Sequence, residues 1–297
     1  MTTSLTLGST TFEWGRRTYL MGILNLTPDS FSGDGLMRSD AEEAWLNAAI
    51  AQAEAQVAAG VDLLDVGGES TRPGGMPVPL DEELRRVLPV IRALARTVSV
   101  PISIDTYKAD VARQAVAAGA TLINDVWGLR MDPEMAQVVA ETGAVVVLMH
   151  NRSRPKDAAQ EAQLGGRYVG VEYADLLGDI MRELQTSVDL ALAAGVVRER
   201  IIVDPGIGFG KTVEQNLELV YRLRELRGLG YPMLVGPSRK SFVGYTLNLP
   251  PDQRLEGTAA AVTLCIERGA DIVRVHDVAA MNRVARLADA VVRRATE

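Results

Sequence analysis

Eight short apolar runs that alternate with helical patterns constrain the fold of this chain more than any other feature. The runs span residues 19–24, 62–66, 102–104, 122–123, 145–149, 201–203, 233–235 and 272–275. They are rich in Val, Ile and Leu, which is typical of parallel strands buried on both faces. Helical patterns lie between or after them at residues 41–59, 81–97, 109–118, 133–142, 170–194, 214–227, 256–268 and 278–296. This alternation predicts an α/β fold, specifically a (β/α)8 TIM barrel.

Each apolar run ends in a polar cluster or is followed by one. The clusters are residues 25–31, 65–74, 105–106, 124–125, 150, 204–206, 238–240 and 274–277. The active site of a parallel barrel lies at the C-terminal ends of its strands. The sequence therefore predicts that these clusters meet in one pocket.

The sequence predicts one domain over residues 1–297. Residues 5–14 alternate apolar and polar around Gly8 and Ser9, which predicts a hairpin within residues 1–15 ahead of a barrel over 16–297. The polar segment 151–166 is expected to be an irregular loop. Asp40 and Asp81, each with Glu close behind, are expected to be helix N-caps.

Composition excludes several classes of function. A net charge of −7 argues against a general binder of nucleic acid or of anionic membranes. No apolar stretch reaches the roughly 20 residues that a membrane-spanning helix needs. The N-terminus lacks the features of a signal peptide. The lone Cys265 cannot form an internal disulfide and is expected to be buried. We therefore expect a cytoplasmic protein that binds neither nucleic acid nor membranes.

Three strand-end residues predict a slot for a flat heterocycle. Asp105, Asn124 and Asp204 follow the third, fourth and sixth runs. A carboxylate can accept two parallel N–H bonds from an amidine-like edge. Phe209 is a candidate to stack on such a ring. The segment 204–212 is not a phosphate-binding P-loop, because Pro205 stands where that motif needs Gly.

A second group of residues predicts an anion site. Ser238, with free backbone N–H groups in 238–240 and the cation of Lys240, could seat a carboxylate or phosphate. Arg274 and His276 fall on one strand face, and with Arg72 and Asn25 they could surround a diphosphate. One Cys and two His residues are too few for a typical zinc site, so none is expected. The sequence assigns no role to His150. Mg²⁺ needs few protein oxygens, so Asn25 could be its one protein ligand.

Seven segments in this order resemble the dihydropteroate synthase family, the folate-pathway enzymes that sulfonamides target. The segments are residues 25–31, 69–74, 104–106, 123–126, 204–211, 238–242 and 274–277, and the resemblance runs from about residue 20 to 276. It implies an enzyme that joins 4-aminobenzoate to a dihydropterin-CH₂-diphosphate and releases pyrophosphate. It also implies a homodimer, formed through the last helices.

The resemblance also implies roles for matching residues. The pterin would be held by Asp105, Asn124, Met149, Asp204, Phe209, Gly236 and Lys240. The diphosphate would be bound by Asn25, Arg72, Arg274 and His276, with Asn25 on Mg²⁺. The aminobenzoate would face Thr71, Pro73 and Ser238, with its carboxylate near the helix start at Ser238. Asp105, Lys240, Arg274 and His276 would take part in catalysis, where loss of the diphosphate leaves a cationic methylene that the aniline attacks.

Two departures and two alternatives accompany this reading. The family usually has Ser-Asp-Gly-Gly after the Phe of the first loop, whereas this chain has Ser-Gly-Asp-Gly, so that the acidic residue, Asp34, is moved by one place. Asn151 and Arg152, which follow His150, also differ from the usual pattern. A folate–corrinoid methyltransferase barrel would share Asp105, Asn124 and Asp204 but has no need of a diphosphate clamp. An inactive barrel that serves as a binding subunit is the other alternative.

Overall fold

The computed structural model describes residues 4–27, 42–70 and 77–294. The strands are β1 (Ser4–Leu7), β2 (Thr10–Glu13), β3 (Tyr19–Asn25), β4 (Leu63–Gly67), β5 (Ile102–Asp105), β6 (Leu122–Asp125), β7 (Val145–Met149), β8 (Ala158–Glu161), β9 (Gly165–Tyr168), β10 (Ile201–Asp204), β11 (Leu234–Val235) and β12 (Ile272–Val275). The α-helices are α1 (Glu42–Ala58), α2 (Leu80–Thr97), α3 (Ala109–Ala118), α4 (Met135–Thr142), α5 (Leu176–Ala193), α6 (Val213–Tyr221), α7 (Ser241–Leu247), α8 (Leu255–Glu267) and α9 (Val278–Val292).

Eight of the strands form one parallel sheet in the order β10-β7-β6-β5-β4-β3-β12-β11. A parallel bridge between Val203 and Met233 joins the two ends of this sheet. The N–H of Val203 also donates to Pro232 O at 3.0 Å. The sheet is thereby closed into a barrel surrounded by helices, and the predicted TIM-barrel fold is confirmed.

The hydrophobic side chains form two layers. Inside the barrel, Met21, Val147 and Ile202 belong to a core that also contains the hairpin residues Leu5 and Phe12. A larger core fills the space between the sheet and the helices. The antiparallel hairpin β1–β2 is the one predicted from the sequence, and its apolar face covers the N-terminal end of the barrel. The opposite end, where the strands finish, is left for the pocket.

Several local predictions were wrong. Asp81 is not an N-cap, because α2 begins at Leu80 with Pro79 in the cap position; the first-turn N–H groups lack helical partners, so a residue with no N–H loses nothing there. Asp40 lies outside the described residues. The predicted helix 214–227 divides at Arg222 into α6 and the 3₁₀-helix Leu223–Leu229. Segment 151–166 is not wholly irregular, since it contains β8 and the start of β9.

Among the residues for which a structure is given, no helix is both long and apolar enough to span a lipid bilayer.

Candidate active site

The strand ends and the loops that follow them line one pocket. Eleven residues singled out in the sequence lie along it: Asn25, Asp105, Asn124, Met149, Asp204, Phe209, Gly236, Ser238, Lys240, Arg274 and His276. Register explains part of this convergence, because Asp105 pairs with Asn124 and Asp204 pairs with Met149 across neighbouring strands. The predicted residues Thr71, Arg72, Pro73 and Asp34 lie outside the described part of the chain.

A buried ion-pair network lies beneath this pocket. The Nε of Arg274 donates to Asp65 Oδ2 at 2.5 Å, and its Nη2 donates to Asp105 Oδ2 at 2.8 Å. Asn124 Nδ2 donates to the same Asp65 oxygen at 3.2 Å. Asp65 is fully buried, whereas the Arg274 side chain is 19% exposed. One guanidinium thus connects carboxylates from β4 and β5, and Asp65 also holds the amide from β6.

Sequence reasoning missed Asp65 as a site residue. It belongs to a polar cluster but lies in the middle of β4, and its strand is buried on both faces. In such a strand the apolar pattern does not indicate which alternate residues face the barrel interior. The available signal was chemical: a carboxylate inside a buried strand needs a polar or charged partner.

Two carboxyl groups of the pocket are perturbed by burial. Desolvation raises the pKa of Asp105 to about 7, against the opposing effect of Arg274. Burial likewise raises the pKa of Asp204 to about 6, although the N–H of Gly206 donates to its Oδ1 at 2.7 Å. Asp105 Oδ1 is buried without a hydrogen-bond partner among the described residues. Each carboxyl therefore has unused capacity to accept an N–H from a ligand.

Phe209 and Lys240 form one wall of the pocket. The Nζ of Lys240 lies 4.0 Å from the centroid of the Phe209 ring, within the range of a cation–π contact. Gly208 has a φ of +80°, and a Cβ there would lie 2.9 Å from Cδ of Lys240. Glycine at this position therefore lets the lysine stem pass close to the backbone. The arrangement leaves an aromatic face and a cation beside Asp204.

The segment before α7 differs from the expected anion seat. The helix begins at Ser241, three residues after Ser238. The N–H of Arg239 donates to Thr258 Oγ1 at 3.0 Å, and that of Lys240 donates to Pro237 O at 3.3 Å. These two N–H groups are not free, so this part of the prediction was wrong. Ser238 Oγ lies 2.9 Å from Nδ1 of His276, which brings the two predicted residues together.

His150 does not line the pocket but belongs to a network behind it. Its Nδ1 lies 2.9 Å from Nζ of the fully buried Lys211, which also donates to the carbonyls of Gly206 and Phe209 at 3.0 Å. Burial lowers the pKa of Lys211 to about 7 and that of His150 to about 3. Lys211 therefore connects the loop that carries Phe209 to the end of β7.

The two residues that depart from the family pattern have structural partners. Asn151 is buried, and its Nδ2 donates to Val126 O at 3.1 Å. Its Oδ1 accepts from the N–H of Ser153 at 2.8 Å. Arg152 forms ion pairs with Glu183 and with Asp179, the latter at 3.1 Å. These contacts fix the chain after β7 without entering the pocket.

Among the residues singled out in the sequence, Asn25 is the candidate ligand for a hard cation. Across residues 4–27, 42–70 and 77–294, no three His, Cys, Asp or Glu side chains are grouped as a protein-only metal cage requires. Asn25 ends β3 and lines the pocket. An amide oxygen in that place fits the coordination habit of Mg²⁺, which keeps waters and takes further oxygens from substrate phosphates.

Comparison with known proteins identifies related chains. The sequence profile of the family described as pterin binding enzyme matches residues 21–276. The dihydropteroate synthase of Synechocystis sp. is 48% identical over 288 residues, which is 97% of this chain and 94% of the relative. A crystal structure of the dihydropteroate synthase from Clostridium difficile with pteroic acid is 48% identical with a TM-score of 0.84, and covers 95% of this chain and 100% of its own. The enzyme of Xanthomonas albilineans with 4-aminobenzoic acid is 40% identical with a TM-score of 0.85, covering 98% of each chain.

Proposed function

The chain belongs to the dihydropteroate synthase family of pterin-binding enzymes, and on that premise we propose that it condenses 4-aminobenzoate with (7,8-dihydropterin-6-yl)methyl diphosphate. The products are dihydropteroate and pyrophosphate, in folate biosynthesis. The observation that carries this proposal is the composition of one pocket. Two buried carboxylates and an amide lie beside Arg274, His276 and Lys240, so that the same cleft offers partners for a pterin and for an anionic leaving group.

The pterin would occupy the slot between the strand ends and Phe209. Asp204 would accept two N–H bonds from its guanidine-like edge, and Asn124 and Asp105 would meet other polar atoms of the ring. Met149 and Gly236 would bound the ring on the barrel side, and Lys240 would contribute a cation beside it. The perturbed pKa of Asp204, about 6, supports this role, because a desolvated carboxylate gains most from a bidentate donor.

The diphosphate would lie on the side of the pocket that carries Asn25, Arg274 and His276, with Arg72 as a further cation. Asn25 would hold Mg²⁺, which would supply positive charge beside the diphosphate. Arg274 uses Nε and Nη2 to bond Asp65 and Asp105, which leaves Nη1 for a ligand. A guanidinium group suits an anion with several oxygens. This group of residues distinguishes the proposal from the methyltransferase alternative, which has no anion of this kind to hold.

The aminobenzoate would enter from the rim, with its carboxylate near Ser238 and its ring near Thr71 and Pro73. Departure of pyrophosphate leaves positive charge on the methylene carbon, which the ionised form of Asp105 stabilises. The weakly basic aniline attacks this carbon, and the nitrogen then releases its extra proton to water or to pyrophosphate, so that no strong general base is needed. The catalytic residues Asp105, Lys240, Arg274 and His276 thus act mainly through charge and position.

Pyrophosphate release tests the proposal. The purified protein is incubated with the dihydropterin diphosphate and Mg²⁺, with and without 4-aminobenzoate, and dihydropteroate is identified by mass. Release that depends on 4-aminobenzoate supports the synthase. Tight pterin binding without release would instead favour the methyltransferase or an inactive barrel, and a methyl-transfer assay with a corrinoid protein would separate those two. Chelation of Mg²⁺ is expected to suppress release.

We also propose that the protein is a cytoplasmic homodimer of single-domain barrels. Large apolar side chains are exposed on the last two α-helices, among them Leu264 at 44%, Leu287 at 70% and Val291 at 70%. Light scattering is expected to give twice the mass of 32.0 kDa, and Leu287→Glu is expected to shift it towards the monomer. The proposed cytoplasmic location is compatible with the free, buried thiol of Cys265. Cell fractionation tests this location.

A further inference from the structure

The turn that carries Phe209 is fixed from behind by one buried lysine. The N–H of Phe209 closes this turn on Gly206 O at 3.1 Å. Nζ of Lys211 donates to the carbonyl oxygens of Gly206 and Phe209, each at 3.0 Å, and lies 2.9 Å from Nδ1 of His150. Lys211 is only 1% exposed, so water does not compete for these bonds. The lysine therefore holds both ends of the turn against the end of β7.

The position of this turn determines two features of the proposed pterin slot. The turn places the ring of Phe209 beside Lys240, and the N–H of Gly206 donates to Asp204 Oδ1. A Cβ at Gly206 would overlap the carbonyl oxygen of His150, so the turn and the strand end are in direct contact. A displacement of the turn would therefore move the aromatic wall and release the carboxylate together.

Lys211 is fully bonded only if His150 accepts its third N–H. An ammonium group has three donors, and the carbonyls of Gly206 and Phe209 take two of them. Burial lowers the pKa of His150 to about 3, so the imidazole is neutral and one ring nitrogen carries the proton. Nδ1 can accept from Lys211 only when that proton is on Nε2. The tautomer of a buried histidine thus decides how firmly the turn is held.

Glu183, on α5, favours the tautomer with the proton on Nε2. Its Oε2 lies 3.1 Å from Nε2 of His150. The contact is not a straight hydrogen bond, but a carboxylate beside Nε2 stabilises a proton there and repels a lone pair. Although burial opposes ionisation, contacts with His150 and Arg152 lower the pKa of Glu183 to about 2. Glu183 is therefore charged, and it acts from outside the pocket.

We propose that Glu183, His150 and Lys211 form a positioning network for the pterin slot. This inference rests on the pterin-binding step of the proposed function. Glu183 fixes the proton on Nε2 of His150, Nδ1 then accepts from Lys211, and Lys211 holds the turn of residues 206–209. None of the three lines the pocket, so they act on the ligand through Phe209 and Asp204. Breaking the network is expected to weaken pterin binding while the chemical step is retained.

Glu183→Gln is the variant that tests the network without a change of size. Arg152 Nε donates to Oε1 of Glu183 at 2.8 Å, so the glutamine oxygen is expected to stay there and the amide NH₂ to face His150. Arg130 approaches Oε2 no closer than 3.5 Å and does not hold an oxygen in that place. The NH₂ group donates to Nε2, which moves the histidine proton to Nδ1 and turns it against the ammonium of Lys211.

Calorimetric titration with 6-hydroxymethyl-dihydropterin, the substrate without its diphosphate, measures the effect. Between pH 6 and 7, the pKa values of Asp204 and Lys211, the carboxylate and the ammonium both predominate. Glu183→Gln is expected to bind about tenfold more weakly, the loss expected when a flat ring gives up part of its stacking on an aromatic side chain. In turnover, KM for the dihydropterin diphosphate is expected to rise by the same factor with kcat almost unchanged.

The histidine itself provides a second, independent test. The chain has only two histidines, so comparison with His150→Asn assigns the ring-nitrogen NMR signals of His150. The unchanged protein is expected to carry the proton on Nε2, and Glu183→Gln on Nδ1. The amide oxygen of His150→Asn can take the place of Nδ1, so this variant is expected to keep most of the pterin affinity that His150→Leu loses.

Asp179→Asn is the matched control, because Asp179 lies on the same helix and pairs with the same Arg152, at 3.1 Å, and with Arg182 rather than with His150. Its pterin affinity is expected to equal that of the unchanged protein. The proposal is overturned if Glu183→Gln binds the pterin as tightly as this control, if the unchanged protein carries the proton of His150 on Nδ1, or if His150→Asn and His150→Leu bind equally well. Pterin binding without turnover by the unchanged protein would refute the synthase activity and leave this comparison intact.

Discussion

Asp65→Asn is the substitution that most directly tests the charge arrangement inside the barrel. The change keeps the shape of the side chain but removes its charge, and Asp65 is fully buried against Arg274 and Asn124. Removing one partner of a buried ion pair typically costs about 3–5 kcal/mol, because the other charge is left uncompensated. Arg274 retains Asp105 at 2.8 Å and is partly exposed. We therefore expect a loss near the lower limit, about 3 kcal/mol in the free energy of unfolding.

The same substitution is expected to alter catalysis more than pterin binding. In Asp65→Asn a side-chain oxygen can still accept from Nε of Arg274, but the charge that holds the guanidinium at β4 is lost, so Arg274 is fixed less firmly between β4 and β5. A displacement of about 1 Å of a group that positions the leaving diphosphate can reduce kcat by about a hundredfold. The charge of Asp65 also raises the pKa of Asp105. In the variant that pKa is therefore expected to fall below about 7, which the pH dependence of kcat would report.

Urea unfolding and steady-state kinetics measure these effects. Glu141→Gln is the control, because Glu141 pairs with Arg113 on the surface and both side chains are 46% exposed. Loss of such an exposed pair is expected to cost less than about 1 kcal/mol. If Asp65→Asn is no less stable than this control and turns over normally, Asp65 does not position Arg274, and the reasoning is refuted.

Four further predictions concern individual charged groups. Lys240→Ala is expected to weaken binding of a diphosphate-free pterin strongly while the circular dichroism spectrum stays unchanged; wild-type affinity in a pterin titration would remove Lys240 from the slot. Arg274→Ala is expected to reduce turnover more than affinity for the same pterin, and equal losses would assign Arg274 another role. Pterin affinity is expected to fall as the pH decreases below about 6, because protonation of Asp204 removes the acceptor, and a binding curve for Asp204→Asn that shows the same pH dependence would contradict this. In the folded chain the pKa of Lys211 is about 7, which is below its value in the unfolded chain. Above that pH the unfolded chain therefore binds more protons, and the free energy of unfolding is expected to rise from pH 7.5 to 9.5. Urea unfolding of Lys211→Met should show a smaller rise over the same pH range.

The sequence was sufficient to predict the barrel and most of its pocket, for local reasons. Each strand end combines an apolar run with an abrupt polar residue, and parallel strands bring those ends to one edge. Asp105, Asn124 and Asp204 were found in this way, and they do line the same pocket. What such a pattern cannot give is the pairing among side chains. The contact of Arg274 with Asp65 depends on the joint register of β12, β3 and β4.

The hairpin of β8 and β9 and the structure of the segment before α7 were not predicted, for different reasons. β8 (AAQE) and β9 (GGRY) are four residues each, contain no β-branched residue, and β9 begins with two glycines, so they show no period-2 pattern that could be recognised. The N–H groups of Arg239 and Lys240 were expected to be free because only the local chain was considered. Their acceptors are Thr258, 19 residues from Arg239, and Pro237, which closes a turn.

If the reaction passes through the proposed cationic transition state, the distribution of charge in the pocket accounts for how one site can bind a neutral pterin and yet favour that state. Asp65, Asp105 and Asp204 face Arg274 and Lys240, so in their ionised forms the three acids exceed the two bases by one charge. Burial opposes that excess, which is why the pKa values of Asp105 and Asp204 are raised to about 7 and 6. Positive charge that develops on the methylene carbon relieves the repulsion among the carboxylates, whereas the neutral ground state does not. Stabilisation of this kind is present only as the carbon–oxygen bond breaks, and it therefore increases kcat rather than ground-state affinity.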